Sequence, residues 1–345
     1  MENVVYILGA GFSAYAGLPL MKDFYFKSKD MFFDNSAQYR YMERIFKSFD
    51  AMAKIKNYYN ADLFNIEEIL SILEMQQTIG KEKINRKEFI QYIIDVIKYY
   101  GFKDDDLKNY KRPGNWQDWI FSKNQKVNEY GKFVCSIGNL VINQMYANDT
   151  EHLVAKKSDN SEIKYSIVTF NYDTVIDKIC LAIGKNFLGA EGIVESIFDI
   201  HRLHGSILNG NIIPPTWSKS ISAELKSVWQ KAFSRLENAS KIRIIGYSLP
   251  ISDSYVRYYL KSAIMKNERL KEIDVICYDR QGSTKKNYDE FIIFNNYKFI
   301  NSRVEDYFEN INGVREDFGN GEYDISFRSL ERGHYSFVNN AMLGN

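Results

Sequence analysis

Cysteine is scarce in this chain, and its spacing excludes more than its number does. The 345 residues hold three, Cys135, Cys180 and Cys277, with no Cys-x-x-Cys pair. A four-thiolate structural zinc site is therefore excluded, no disulfide framework can form, and a reducing compartment is expected. Net charge is equally small. Lysine plus arginine number 45 against 44 for aspartate plus glutamate, so no polycationic surface offers itself to nucleic acid or to an anionic membrane. No apolar run approaches the roughly 18 residues that a membrane span needs. A first strand beginning within three residues of Met1 leaves no room for a secretory leader. No internal repeat or low-complexity block occurs. These absences imply a cytoplasmic protein with no metal and no direct hold on nucleic acid or membrane.

What is present is aromatic and patterned. Aromatic residues make up 15%, with 25 Tyr and 23 Phe, which favours a packed core over disorder. Val4–Leu8 is an apolar run of strand length, and Gly9 and Gly11 follow it at once. Glycine there lets the chain turn sharply and lets a phosphate approach main-chain N–H groups. Ser13 adds a hydroxyl beside the turn. Gly9, Gly11 and Gly17 do not form the Gly-x-Gly-x-x-Gly of the ordinary dinucleotide fingerprint.

Beyond this turn the sequence changes character. Asn65 reads as an N-cap, with Glu68 completing a capping box, and Ile66, Ile69, Leu70 and Leu73 recur at helical spacing. Lys87–Tyr100 repeats the pattern through Phe89, Ile90, Ile93, Ile94 and Ile97. Lys132–Tyr146 does so through Val134, Ile137, Val141 and Met145, and a charged loop, Lys103–Gly114, separates the two. Residues 31–159 thus read as a large helical insertion. Strand and helix then alternate: Ser166–Phe170, Thr174–Ile183, Ile242–Ile245, Ser252–Met265, Ile273–Tyr278. That rhythm implies an α/β, Rossmann-like, doubly wound parallel sheet, assembled from 1–30 and 160–312. Over 313–345 the pattern fades into a polar tail.

Four short segments fall just past expected strands or in connecting loops, where open parallel sheets bind ligands. They are Gly9-Ala10-Gly11-Phe12-Ser13, Thr169-Phe170-Asn171-Tyr172-Asp173, Leu203-His204-Gly205-Ser206 and Gly246-Tyr247-Ser248-Leu249. In this order they resemble the sirtuin family, NAD-consuming enzymes on a Rossmann-like sheet with motifs Gly-Ala-Gly-x-Ser, Thr-Gln-Asn-x-Asp, His-Gly and Gly-x-Ser-Leu. The resemblance covers about 1–24 and 165–280. Phe170 stands where sirtuins carry glutamine, and cannot hydrogen-bond a ribose hydroxyl. Tyr25 stands where their arginine follows Asp-Phe, and three residues separate Gly17-Leu18-Pro19 from Asp23-Phe24. The zinc module, beside which sirtuin deacetylases clamp an acyl-lysine peptide, is missing, with the helical insertion in its place. Pro214-Pro215-Thr216-Trp217-Ser218-Lys219 and the longer Gly246–Asp253 segment resemble the bacterial sirtuin-like NAD hydrolases, many of them abortive-infection effectors against phage.

The chemistry of the residues agrees. Breaking the nicotinamide–ribose bond passes through an oxocarbenium-like state, and the site needs orientation, a base and dryness more than a strong nucleophile. His204 suits the base, with an unperturbed pKa of about 6.5. Asn171 can hold a water or the nicotinamide carboxamide, and Asp173 can accept from that carboxamide or from ribose. Gly9, Ala10, Gly11 and Ser13, with Gly246 and Ser248, suit the pyrophosphate. Asp279 suits the adenosine ribose hydroxyls. Plainer roles compete: Asp173 as a helix cap, Asp253 likewise, Trp217 and Trp229 as packing residues. His201 lacks partners at metal-ligand spacing. The leading expectation is an NAD⁺ hydrolase releasing nicotinamide and ADP-ribose during phage infection. Its rivals are a protein deacylase or ADP-ribosyltransferase, and a non-catalytic NAD⁺ or ADP-ribose sensor or scaffold. The resemblance also implies control by a homo-oligomer or a partner defence protein, such as a ring ATPase or a nucleic-acid-guided protein.

Overall fold

The computed structural model describes residues 1–52, 54, 57–58, 66–80, 86–108, 118–147, 150–157, 162–188, 199–208, 211–213, 223–251, 253–313, 316–317, 322–324 and 327–343. Asn65, Trp116, the 214–219 segment with Trp217, and Ser252 lie outside them.

The apolar run at the N-terminus is β1 (Glu2–Leu8), and its glycine turn opens a short helix, α1 (Ala10–Ala14). Helices α2 (Met21–Asp34), α3 (Met42–Met52), α4 (Ile66–Thr78), α5 (Arg86–Tyr100) and α6 (Gln125–Gly138) follow. Here one expectation fails. The stretch read as a helix over Lys132–Tyr146 stops at Asn139, which adopts φ 54° and donates its N–H to the Cys135 and Ser136 carbonyls. A left-handed residue at that place ends a helix. Leu140 and Ile142 are then buried in alternation, and the chain continues as a hairpin, β2 (Leu140–Ala147) and β3 (Thr150–Lys157).

The α/β rhythm resumes as expected with β4 (Ile163–Thr169), α7 (Val175–Asn186), the short β5 (Phe187–Leu188) and β6 (Ile200–Arg202). A small hairpin, β7 (Gly205–Ser206) and β8 (Asn211–Ile212), precedes α8 (Ala223–Glu237) and β9 (Lys241–Ile245). Then come α9 (Ser254–Ile264), β10 (Glu272–Ile276), α10 (Ser283–Asp289), β11 (Tyr297–Ile300) and α11 (Val304–Gly313). The region read as a fading tail holds β12 (Glu316–Asp317), β13 (Glu322–Asp324) and a 17-residue helix, α12 (Phe327–Leu343).

Six strands form one parallel sheet in the order β6-β4-β1-β9-β10-β11. Counted by appearance, that order is 3-2-1-4-5-6, the doubly wound Rossmann order, whose switch point lies between β1 and β9. Alternate residues of β1 serve opposite faces. Val5 and Ile7 join Ile242, Ile244 and Val275 under α8, α9 and α10, whereas Val4, Tyr6 and Leu8 face the core shared with α6, α7, α11 and α12. A second sheet, β12-β13-β2-β3-β5, carries the hairpin that the helical reading missed.

The last helix is held by charge as much as by grease. Arg243 is fully buried and donates from both terminal nitrogens to Glu331 on α12, each at 2.7 Å. Arg243 also donates to the Tyr6 hydroxyl at 2.9 Å, and Tyr6 meets Tyr307 at 3.2 Å. Tyr307 lies 3.1 Å from His334 Nδ1, and His334 Nε2 lies 3.1 Å from Asp274. Arginine can only donate. The arrangement that gives every hydroxyl proton an acceptor therefore runs Arg243, Tyr6, Tyr307, His334, Asp274, with the imidazole proton on Nε2.

Burial, together with Arg243, Lys298 and Lys241, drives the His334 pKa well below its usual range, against the opposing pull of Glu331. The unfolded chain takes up this proton as pH drops through about 6.5, and the fold does not. The unfolded state then binds more protons, so stability falls as pH falls below about 6.5. Glu331 and Glu2, whose carboxyls hydrogen bonds and ion pairs hold low, act in a lower window. Urea midpoints should therefore drop between pH 7.5 and 5.5 in the wild type, with a flatter slope in His334→Gln. An equal drop in both would assign the effect to another group.

Candidate active site

The carboxyl ends of β1, β4, β6 and β9 carry the four segments, which contact one another beside the switch point. At its base, two loops interlock through glycine. The Gly9 amide donates to the Ile245 carbonyl at 3.0 Å, and the Gly11 amide to the Gly246 carbonyl at 2.8 Å. A Cβ on Gly11 would lie 2.7 Å from the Gly246 Cα, and one on Gly246 would lie 2.2 Å from the Phe12 nitrogen. Gly246 also holds φ 64°, which glycine alone adopts freely. These glycines thus seat backbone on backbone, and the Gly9, Gly11 and Gly246 amides are each already donated to carbonyls. The Ala10 amide, at the first helical position, has no acceptor within the helix.

Ser13, Asn171 and Asp173 meet beside this junction. Asn171 Nδ2 donates to the Gly9 carbonyl at 2.9 Å and to the Ser13 hydroxyl oxygen at 3.0 Å. Because a carbonyl can only accept, the amide is oriented with its nitrogen inward, and Asn171 presents Oδ1 as an acceptor. The Ser13 hydroxyl bonds in turn to Asp173, whose Oδ1 also accepts from the Val175 amide at 3.0 Å. The N-cap of α7 is Thr174 and not Asp173, whose carboxylate accepts from the first helical amide beside its contact to Ser13. Burial pushes the Asp173 carboxyl up, against the pull of Ser13, the Val175 amide and Arg202.

His204 follows β6 and is 4% exposed. Its Nδ1 lies 3.1 Å from the Phe170 carbonyl. A carbonyl has no proton to give, so Nδ1 carries a hydrogen, and in the neutral ring the lone pair is on Nε2. Phe170 itself stacks on Tyr247, with centroids 4.7 Å apart, joining the β4 and β9 loops through an aromatic contact.

The other sequence picks have the following places. Ser248 is exposed on the β9 loop. Asp279 is buried past β10, where Oδ2 accepts from the Lys285 amide at 2.8 Å near the start of α10. Asp253 caps α9 by accepting from the Val256 amide and receives the Tyr247 hydroxyl at 3.2 Å. Trp229 packs against Tyr255 and Tyr259 and donates to the Leu203 carbonyl at 2.8 Å. His201 lies 3.1 Å from Asp199, which also binds Ser166 and Arg235.

Sequence reasoning gave no role to Tyr130 or Tyr172. The Tyr130 hydroxyl donates to the Phe12 carbonyl from α6, 118 residues away, and no local signal marks such a bond. Tyr172 sat within a motif, with its own contacts unread.

Among the described residues one group places three metal-capable side chains together: Glu272, Asp274 and His334, all buried, with ligand atoms within 4.8 Å of one another. The hydrogen-bond order that starts at Arg243 puts a proton on His334 Nε2, the nitrogen facing Asp274, which leaves no lone pair there for a metal. Purified protein should hold no stoichiometric zinc by elemental analysis; one zinc per chain would overturn that assignment.

No known protein family and no curated protein matches the sequence. Solved structures with similar folds include one from a study of the mechanism and regulation of Sir2 enzymes. It is 10% identical, with 100% of this chain and 94% of that chain covered and a TM-score of 0.37. Another is Sir2 with an inhibitor, 2′-O-acetyl-ADP-ribose and a deacetylated peptide: 10% identity, 89% and 91% coverage, TM-score 0.32. A third is a mutant Sir2 homologue with ADP-ribose: 11% identity, 97% and 93% coverage, TM-score 0.37. No helix among the described residues is long and apolar enough to cross a membrane.

Proposed function

We propose that this chain binds NAD⁺ at the β1–β9 switch point and hydrolyses its nicotinamide–ribose bond. The observation that carries the reading is His204: an imidazole with Nδ1–H fixed on the Phe170 carbonyl, so that the neutral ring has its lone pair on Nε2, at the carboxyl edge of the sheet that also holds the Ser13–Asn171–Asp173 cluster. In the reaction the C1′–N bond breaks with its electron pair passing to the pyridinium nitrogen. Water adds to C1′, and Nε2 of His204 takes the proton that water loses. Asn171 Oδ1 accepts from the carboxamide N–H₂ or from that water. The Gly9 carbonyl and the Ser13 hydroxyl, itself bound to Asp173, hold the amide nitrogen and leave Oδ1 as the acceptor. The Ala10 amide and Ser248 remain the candidates for pyrophosphate, and Asp279 for the distal ribose through the oxygen that Lys285 does not use.

NAD⁺ depletion during phage infection, with control by a second copy or a partner defence protein, completes the proposal through the sequence resemblance. Incubating NAD⁺ with pure protein, with and without an acetyl-lysine peptide, separates the readings. Nicotinamide and free ADP-ribose in both reactions support hydrolysis. Peptide-dependent turnover would favour a deacylase, and bound but intact NAD⁺ a sensor.

The same geometry predicts an uneven effect at the amide. Asn171→Ala removes an orienting acceptor near the reacting carbon, so kcat should fall far more than NAD⁺ affinity. Weak binding with normal kcat at saturation would make Asn171 a ground-state contact instead.

A further inference from the structure

Tyr172 sits between Asn171 and Asp173, and it ties the β4 loop to the hairpin that carries His204. Its hydroxyl donates to the Ile213 carbonyl at 2.7 Å, and its carbonyl accepts from the Ile207 amide at 3.1 Å. The Ile213 amide donates to the His204 carbonyl at 2.9 Å, and Ile212 pairs with Gly205, the residue after His204. The Tyr172 ring lies along the imidazole, with centroids 5.8 Å apart and planes at 29°. Phe170 meets the same imidazole at 5.4 Å but tilted by 54°. One buried side chain is therefore linked to His204 twice: its ring lies roughly parallel to the imidazole, and its hydroxyl holds Ile213, whose amide binds the His204 carbonyl.

We propose that Tyr172 is a positioning residue for His204. The ring is the plate against which the imidazole lies, and the hydroxyl pins that plate to Ile213, just after β8. The proposal rests on the reading of His204 as the base and deepens it. The ring has a second effect. An aromatic face within about 6 Å of an imidazolium favours the protonated form, so loss of the Tyr172 ring should be read in the pH at which His204 changes state.

Two variants separate plate from pin. Tyr172→Phe keeps the ring and removes the hydroxyl; Tyr172→Leu removes both. Histidine ¹³C-labelled proteins are titrated by NMR, with the His204 signal assigned by its loss in His204→Gln. The kcat and KM for NAD⁺ are measured over the same pH range. In Tyr172→Leu the His204 midpoint and the acid limb of kcat/KM should both move to lower pH, and kcat should fall at least about tenfold with little change in KM. In Tyr172→Phe the midpoint should stay in place while kcat falls by a smaller factor. An unmoved His204 midpoint in folded Tyr172→Leu overturns the proposal. Should that variant fail to fold, unchanged kcat in Tyr172→Phe overturns it. Wild-type protein that leaves NAD⁺ intact while the NMR shift persists sinks the hydrolase reading alone and supports the ring's hold on His204.

Discussion

Glu331→Leu should cost about 3–5 kcal/mol of stability, because it leaves the Arg243 guanidinium buried without its carboxylate. Arg243 is fully buried on β9, and both of its terminal nitrogens are satisfied by Glu331 from a helix 88 residues further along the chain. The Tyr165 hydroxyl, which donates to the same carboxylate at 2.7 Å, is orphaned as well. The double variant Arg243→Met/Glu331→Leu removes both charges and should recover part of the loss, since an apolar pair of similar volume replaces an ion pair at little cost. Deleting 314–345 removes Glu331 and His334 together, and the remainder should not fold. Chemical denaturation of the three proteins tests this. A single variant within about 1 kcal/mol of wild type, or a stable truncated chain, would show that α12 is not the clamp described.

The second large effect lies at the site. His204→Ala should lower NAD⁺ turnover by about 10²–10⁴-fold with the fold intact. The substitution removes the 3.1 Å bond to the Phe170 carbonyl, while Phe170 keeps its stacking on Tyr247 and Tyr172 its bond to the Ile213 carbonyl. Removing it takes away a proton acceptor and leaves the Ser13–Asn171–Asp173 cluster in place. Normal turnover by a folded variant would remove His204 from the mechanism.

What could be read from the sequence was local. β1, β4, β9 and β10 announce themselves as apolar runs ended by turns, and the glycine, Asn-Asp and His segments fall at their ends because short motifs encode short loops. The parallel, doubly wound character of the sheet follows from strand–helix alternation, and its strand order does not. The misses are non-local or ambiguous in period. Val134, Ile137, Val141 and Met145 fit a helix until Asn139 adopts a left-handed conformation, and nothing in the spacing distinguishes the two. Helix α12 reads as polar because part of its buried face is Glu331 and His334, whose partners lie on β9, β10 and α11. The glycines were read as an open phosphate cradle. Their bare Cα atoms instead face each other across two loops, a contact between positions more than 200 residues apart.

The central claim is that His204 serves an NAD⁺-cleaving site at the β1–β9 switch point. Chromatography of NAD⁺ incubated with pure wild-type protein, beside folded His204→Ala, tests it most directly. Nicotinamide and ADP-ribose should accumulate with the wild type and stay near background with the variant. Intact NAD⁺ after prolonged incubation with the wild type, or equal cleavage by both proteins, would contradict the account.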